Sequence, residues 1–182
     1  MIQMKKILAI SGSTRANSSN KVLIDVIKEM SKDKFQMEKF PNVNLIPHFN
    51  PDEDFDNPPA EVVQFRNLIR AVDAVLICTP EYAMGVPGSL KNAIDWLVSS
   101  CEFSKKPTAL ITASSLGEKG HAALIETLKV IEANVVPETQ LVISFIKTKL
   151  VDGKLIDKET ESRVRFVMSK LYELIVAKEG PH

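Results

Sequence analysis

Residues 11–20 read SGSTRANSSN and lie between an apolar run at 7–10 and an amphipathic helix pattern that begins near Asn20. A strand that empties into small hydroxyl residues, one Arg and a helix start has the chemistry of a phosphate cradle. Amides at a helix N-terminus lack intrahelical acceptors and carry the positive end of the helix dipole, so they attract an anion. Ser13, Thr14, Ser18 and Ser19 add hydroxyl donors, and Arg15 adds a planar fork of charged donors. Taken alone, the stretch also reads as a Ser/Asn-rich turn with a good N-cap. A second loop, PEYAMGVPG at 80–88, is punctuated by Pro80, Gly85, Pro87 and Gly88. Such a turn can expose consecutive backbone N–H groups to a flat ligand, with Tyr82 as an amphipathic border and Pro87 preset for a helix start. A Pro/Gly turn after a strand is equally an ordinary connection.

The elements that position these loops follow from the apolar pattern. Runs at 6–10, 74–79, 108–112 and 141–145 are apolar without alternation apart from an occasional polar residue, which suits strands covered on both faces. A further strand falls within 36–46, where Pro41 makes an edge position the natural one. Between them, Val22, Leu23, Val26, Ile27 and Met30 share one helical face, and further helices are expected at 60–71, 87–96 and 122–131. Val164, Val167, Met168, Leu171 and Ile175 mark the last. This alternation predicts an α/β fold: a flavodoxin-like three-layer sandwich with a parallel sheet of five strands in the order 2-1-3-4-5. Its ligand site lies beyond the strand C-termini near strands 1 and 3, where the loops at 11–20, 80–88 and 113–120 meet. The acidic, proline-rich PHFNPDEDFDNPP segment reads as a solvated surface loop.

The chain has 182 residues, 45% of them hydrophobic, enough for one domain over 1–182 with a sizeable core. Its 23 basic and 23 acidic residues cancel, which argues against nucleic acid or an anionic membrane as partner. No apolar run approaches the ~18 residues of a membrane span. Cys78 and Cys101 lack metal-ligand spacing and read as reduced structural thiols of a cytoplasmic protein.

GSTRANSSN resembles the GSxRxxSxN phosphate signature of the NADPH-dependent FMN reductase family. PEYAMGVPGSLKNAIDW is similar to that family's PEYNxSxPGxLKNAIDW flavin loop. Both are long, correctly ordered and correctly spaced, and the likeness runs from Lys5 to about Phe145. It implies a flavodoxin-like protein that holds FMN and passes reducing equivalents from NADPH or NADH to a small-molecule acceptor such as a flavin, quinone, azo compound or metal oxyanion. Carried over by residue, it assigns the FMN phosphate to Ser13, Thr14, Arg15, Ser18 and Asn20. Pro80, Glu81, Tyr82 and Ala83 then line the isoalloxazine, mainly through main-chain atoms, with Ser114 and Gly117 of the third loop completing the cofactor set. No catalytic side chain is assigned, because transfer between nicotinamide and flavin needs stacking and orientation more than an acid at Glu81. The chain departs from the pattern at Ala83, where the family usually has Asn, and at His121 and Ala122, where many relatives have Gly followed shortly by Arg. His121 reads as a surface residue at a helix start. The resemblance also implies a homodimer or tetramer, in which Trp96 with Ile94 and Leu97 buries surface against a second subunit; core packing within one chain is the alternative for Trp96.

Two function classes follow. One is an oxidoreductase in which nicotinamide and acceptor use the same flavin face in turn, giving ping-pong kinetics. The alternative is a flavodoxin-type electron carrier without efficient NAD(P)H oxidation, disfavoured by the missing Thr/Ser-x-Thr-Gly-x-Thr run and the neutral charge. A receiver domain would need an acidic cluster after strand 1, and nucleotide-binding GxxxxGK[ST] and GxGxxG motifs are lacking there.

Overall fold

The computed structural model describes residues 4–179. Five parallel strands, β1 (Lys5–Ser11), β2 (Phe35–Lys39), β3 (Ala74–Thr79), β4 (Thr108–Ala113) and β5 (Gln140–Ile143), form a sheet in the order β2-β1-β3-β4-β5. β2 stops before Pro41 and takes the edge. Every residue of β3 and β4 is buried, because helices cover both faces. Side chains alternate between those faces along each strand. Ile7 and Ala9 join Leu76, Cys78 and Ile111 beneath α1 (Ser19–Met30) and α6 (Lys158–Glu179). Leu8 and Ile10 join Val75, Ile77 and Leu110 beneath α2 (Ala60–Arg70), α3 (Gly88–Asp95) and α4 (Glu118–Val130). Each such Ile or Leu stabilises the fold by about 1.5–3 kcal/mol before entropy is counted, so the sheet centre is a rigid platform for its loops.

The strand pairing fixes where those loops emerge. Ser11 pairs with Cys78, Thr79 with Thr112, and Ala113 with Ile143, so four strands end at nearly one level. The chain leaves β1 toward β2 on one side and β3 toward β4 on the other, and the gap between those departures is the ligand crevice of a doubly wound sheet.

Several expectations need correction. β5 ends at Ile143 rather than Phe145, because Phe145 turns into the left-handed region at φ 55°. A short helix α5 (Ile146–Lys149) follows, and then an antiparallel hairpin of β6 (Leu150–Val151) and β7 (Lys154–Leu155), neither foreseen. α4 starts at Glu118, four residues before the expected Ala122. Gly117, at φ 109°, makes the sharp entry that side-chain-bearing residues disfavour. The acidic loop is not all solvated. Asp54 is buried, and its Oδ1 accepts from Arg66 Nη2 at 2.5 Å. Arg66 Nε also donates to the Trp96 carbonyl at 3.0 Å, which straps the loop to α2 and the end of α3.

Trp96 itself is fully buried, with its indole N–H on the Pro47 carbonyl at 2.9 Å and its ring edge-to-face with Phe49. Ile94 and Leu97 are buried too. These three residues belong to the chain's own core, so the subunit contact assigned to them is withdrawn. Cys78 is buried, and burial pushes its thiol well above the ordinary value; Cys101 is exposed at φ 60° rather than structural.

Candidate functional site

The C-terminal ends of the strands surround a cavity of about 460 Å³. Ser13, Arg15, Ser18 and Asn20 line it from the loop between β1 and α1. Pro80, Glu81 and Tyr82 line it from the loop after β3, and Ser114 from the loop after β4. The loops expected at 11–20, 80–88 and 113–120 therefore converge.

The first loop is shaped as an anion cradle. Ser18 is the N-cap of α1, its Oγ accepting the Asn20 amide at 3.2 Å while its own hydroxyl proton remains to donate. Among the described residues, the amides of residues 14–19 have no acceptor. Arg15 is exposed, and no carboxylate among the described residues pairs with it. Unpartnered amides, hydroxyls and a guanidinium together match what a phosphate dianion accepts. Asn20 plays a different part from its neighbours. Its Nδ2 donates to the Ala113 carbonyl at 3.0 Å and so ties the cradle to the end of β4, while its Oδ1 is buried without a partner. Thr14 is half-buried and does not line the cavity.

The second loop makes a tight two-residue turn. Tyr82 and Gly85 exchange backbone hydrogen bonds of 2.8 and 2.9 Å, with Ala83 at φ 49° and Met84 at φ 62° between them. This is the type I′ geometry, in which both central residues take positive φ. Tyr82 is 47% exposed, presenting its ring at the mouth of the cavity. Ala83 sits at the exposed tip, outside the cavity lining, with its amide and that of Met84 unpartnered among the described residues. Two free amides beside an aromatic ring suit the polar edge of a flat heterocycle.

Glu81 is engaged with the protein. Its Oε2 accepts the Gly120 amide at 2.6 Å, and its backbone amide donates to Ser114 Oγ at 3.2 Å. Gly117 does not touch the cavity; it turns the chain beside Thr112 and Val142. His121 is half-buried rather than a surface residue, with Nδ1 2.9 Å from Thr112 Oγ1. Desolvation lowers its pKa below the usual imidazole value, against a smaller opposing effect of Gln140.

One wall of the cavity had no sequence expectation behind it. Phe145, Ile146, Lys147 and Thr148 close the side next to Ser114 and Ser115, held there by the Phe145 amide on the Ser115 carbonyl at 3.1 Å and the Ile146 amide on the Ser114 carbonyl at 3.2 Å. Lys147 adds a second cation to the cavity wall. The available signal was topological: in a doubly wound sheet the loop after the fifth strand emerges at the same end as the others.

Residues 5–148 match the family described as NADPH-dependent FMN reductase. An NAD(P)H-dependent FMN reductase of Pseudomonas aeruginosa is 33% identical over 167 residues, covering 88% of this chain and 89% of its own. A quinone reductase of Escherichia coli is 31% identical over 169 residues, again covering 88% and 89%. Among solved structures, FerB, a flavoenzyme NAD(P)H:(acceptor) oxidoreductase from Paracoccus denitrificans, superposes with a TM-score of 0.85 at 25% identity over 96% of this chain and 98% of its own. With the converging loops and the sheet order, these matches make the chain a member of the NADPH-dependent FMN reductase family.

Proposed function

We propose that this protein is an FMN-dependent NAD(P)H oxidoreductase that reduces small-molecule acceptors such as flavins or quinones in a ping-pong cycle. The observation that carries the reading is the convergence, at one cavity, of an unpartnered donor loop and a tight turn with free amides and an exposed Tyr ring. Ser13, Arg15 and Ser18, with the amides of residues 14–19, would hold the phosphate. Pro80, Tyr82 and the Ala83 and Met84 amides would border the ring system. Bound FMN supplies a carrier that accepts two electrons from NAD(P)H and delivers them to a second substrate. The chain's own residues bind and orient: Asn20 fixes the cradle to β4, and the β1–β3 platform fixes the cradle against the turn. No side chain is asked to move a proton, since Glu81, the cavity's one carboxylate, is occupied by the Gly120 amide. We also propose that residues 1–182 act as a single domain, in the cytoplasm and as a homodimer or tetramer. Two unpaired cysteines suit a reducing compartment, and no described helix is long and apolar enough to cross a membrane.

The test is spectroscopic. Purified protein loaded with FMN should bleach rapidly on anaerobic addition of NADH or NADPH and recolour when a quinone is added. Retained FMN without bleaching by either nucleotide would leave the electron-carrier reading in its place. Arg15→Ala should weaken FMN about tenfold or more, the loss of a charge-assisted bond of about 1.5–3 kcal/mol, while riboflavin affinity hardly moves. Equal losses for both flavins would remove Arg15 from the phosphate site.

A further inference from the structure

We propose that Glu81 is a positioning residue whose carboxylate bolts the flavin-side turn to the N-terminus of α4. This rests on the FMN-binding reading above. Two hydrogen bonds meet at Glu81, and the close approach of Gly120 to the turn adds a third constraint. Its carboxylate accepts the Gly120 amide in the first turn of α4 at 2.6 Å, a charge-assisted bond onto the positive end of that helix. Its amide donates to Ser114 Oγ at 3.2 Å, which fixes the start of the turn to the end of β4. On the far side, Gly120 has no room for a side chain: a Cβ there would come 2.9 Å from the Gly85 carbonyl oxygen and 3.0 Å from Glu81 Cγ. The two ends of the turn, Glu81 and Gly85, are thus pressed against one point on α4.

The turn needs such a constraint. Ala83 and Met84 both occupy the left-handed region without being glycine or asparagine, a conformation that persists when the surroundings over-determine it. A strained turn without an anchor relaxes, and its free amides then no longer present one fixed geometry to a ligand. Glu81 lines the cavity, but its Oε2 is engaged by the Gly120 amide, so the carboxylate acts through the turn rather than as a proton donor.

The experiment compares Glu81→Ala, Glu81→Gln and Gly120→Ala. In FMN-free protein, hydrogen exchange at the Gly120 amide should accelerate about tenfold or more in Glu81→Ala, as expected for removal of a charge-assisted bond, and by less in Glu81→Gln, whose amide oxygen still accepts. FMN affinity should fall in the same order, with the visible circular dichroism of the bound flavin altered. Gly120→Ala should reproduce the Glu81→Ala loss, and the double variant should be no worse than either, because both open the same contact. In Glu81→Gln the pH profile of kcat should keep its wild-type shape at reduced amplitude. The proposal is overturned by a Glu81→Ala protein that protects Gly120 and binds FMN as the wild type does. It is equally overturned by a Glu81→Gln protein that loses one limb of the pH profile, which would make Glu81 an acid or base. A wild-type protein that binds no FMN would instead sink the parent reading.

Discussion

Ala83 stands where the family motif usually carries Asn, and the structure gives that difference an energy. Its φ of 49° and the 62° of Met84 place two Cβ-bearing residues in the left-handed region, which costs an L-residue roughly 1–2 kcal/mol. Asn tolerates this region because its short polar side chain bonds locally to the backbone. Ala83→Asn should therefore recover part of the strain, about 0.5–1 kcal/mol. For a chain of this length 1 kcal/mol corresponds to about 2–4 °C, so Tm should rise by about 1–4 °C. Ala83→Gly also removes the strain, but it adds about 0.5–1 kcal/mol of unfolded-state entropy and should gain less. Ala83→Val should move the other way by more than 1 kcal/mol, roughly, since a branched Cβ is least tolerated there. The side chain lies at an exposed tip, so packing contributes little to the comparison. Urea unfolding of the FMN-free protein, followed by far-UV circular dichroism, reads the series, with an unchanged m value certifying that midpoints report stability. Asn and Val variants with the same midpoint as the parent would show that the turn is not held at positive φ.

Two further outcomes follow from the packing. Asp54→Ala strands the Arg66 guanidinium, whose side chain is only 10% exposed, and should cost about 3 kcal/mol by chemical denaturation; adding Arg66→Met should restore much of it, and a double variant as unstable as the single would refute the ion-pair account. His121 has a pKa below its unfolded value, so the unfolded chain binds the proton first as pH falls. Its contribution is fully present above about pH 6.5, the unfolded imidazole value, and is lost as pH drops through the lowered folded value. Stability measured between pH 7.5 and pH 5 should therefore fall less steeply in His121→Asn, and an unchanged slope would remove His121 from the acid response.

What the sequence makes legible and what it hides divide along the range of the interactions involved. The runs at 74–79 and 108–112 declare themselves because a strand covered on both faces is apolar nearly throughout, with Thr79, Thr108 and Thr112 as the buried polar exceptions, and the structure places β3 and β4 there to within one residue. Pro41 lies beyond the end of the edge strand for an equally local reason, its missing N–H. The start of α1 after the loop at 11–20 is legible because a helix N-terminus and its cap are written in adjacent residues. The start of α4 is not, since its entry is made by Gly117 at φ 109° without a side-chain cap and Gly120 within the first turn reads as loop. The Asp54–Arg66 pair is likewise invisible: an acid in a proline-rich loop becomes buried only because α2 and the end of α3 meet behind it. The wall at 145–148 depends on a left-handed Phe145 that no local preference demands. Glu81 shows the limit most sharply. The sequence assigns Glu81 no acid role, yet what its carboxylate does instead is not written near it: its partner is an amide 39 positions along the chain. A side chain's type limits the chemistry open to it, whereas the element that comes to rest against it decides which chemistry is used.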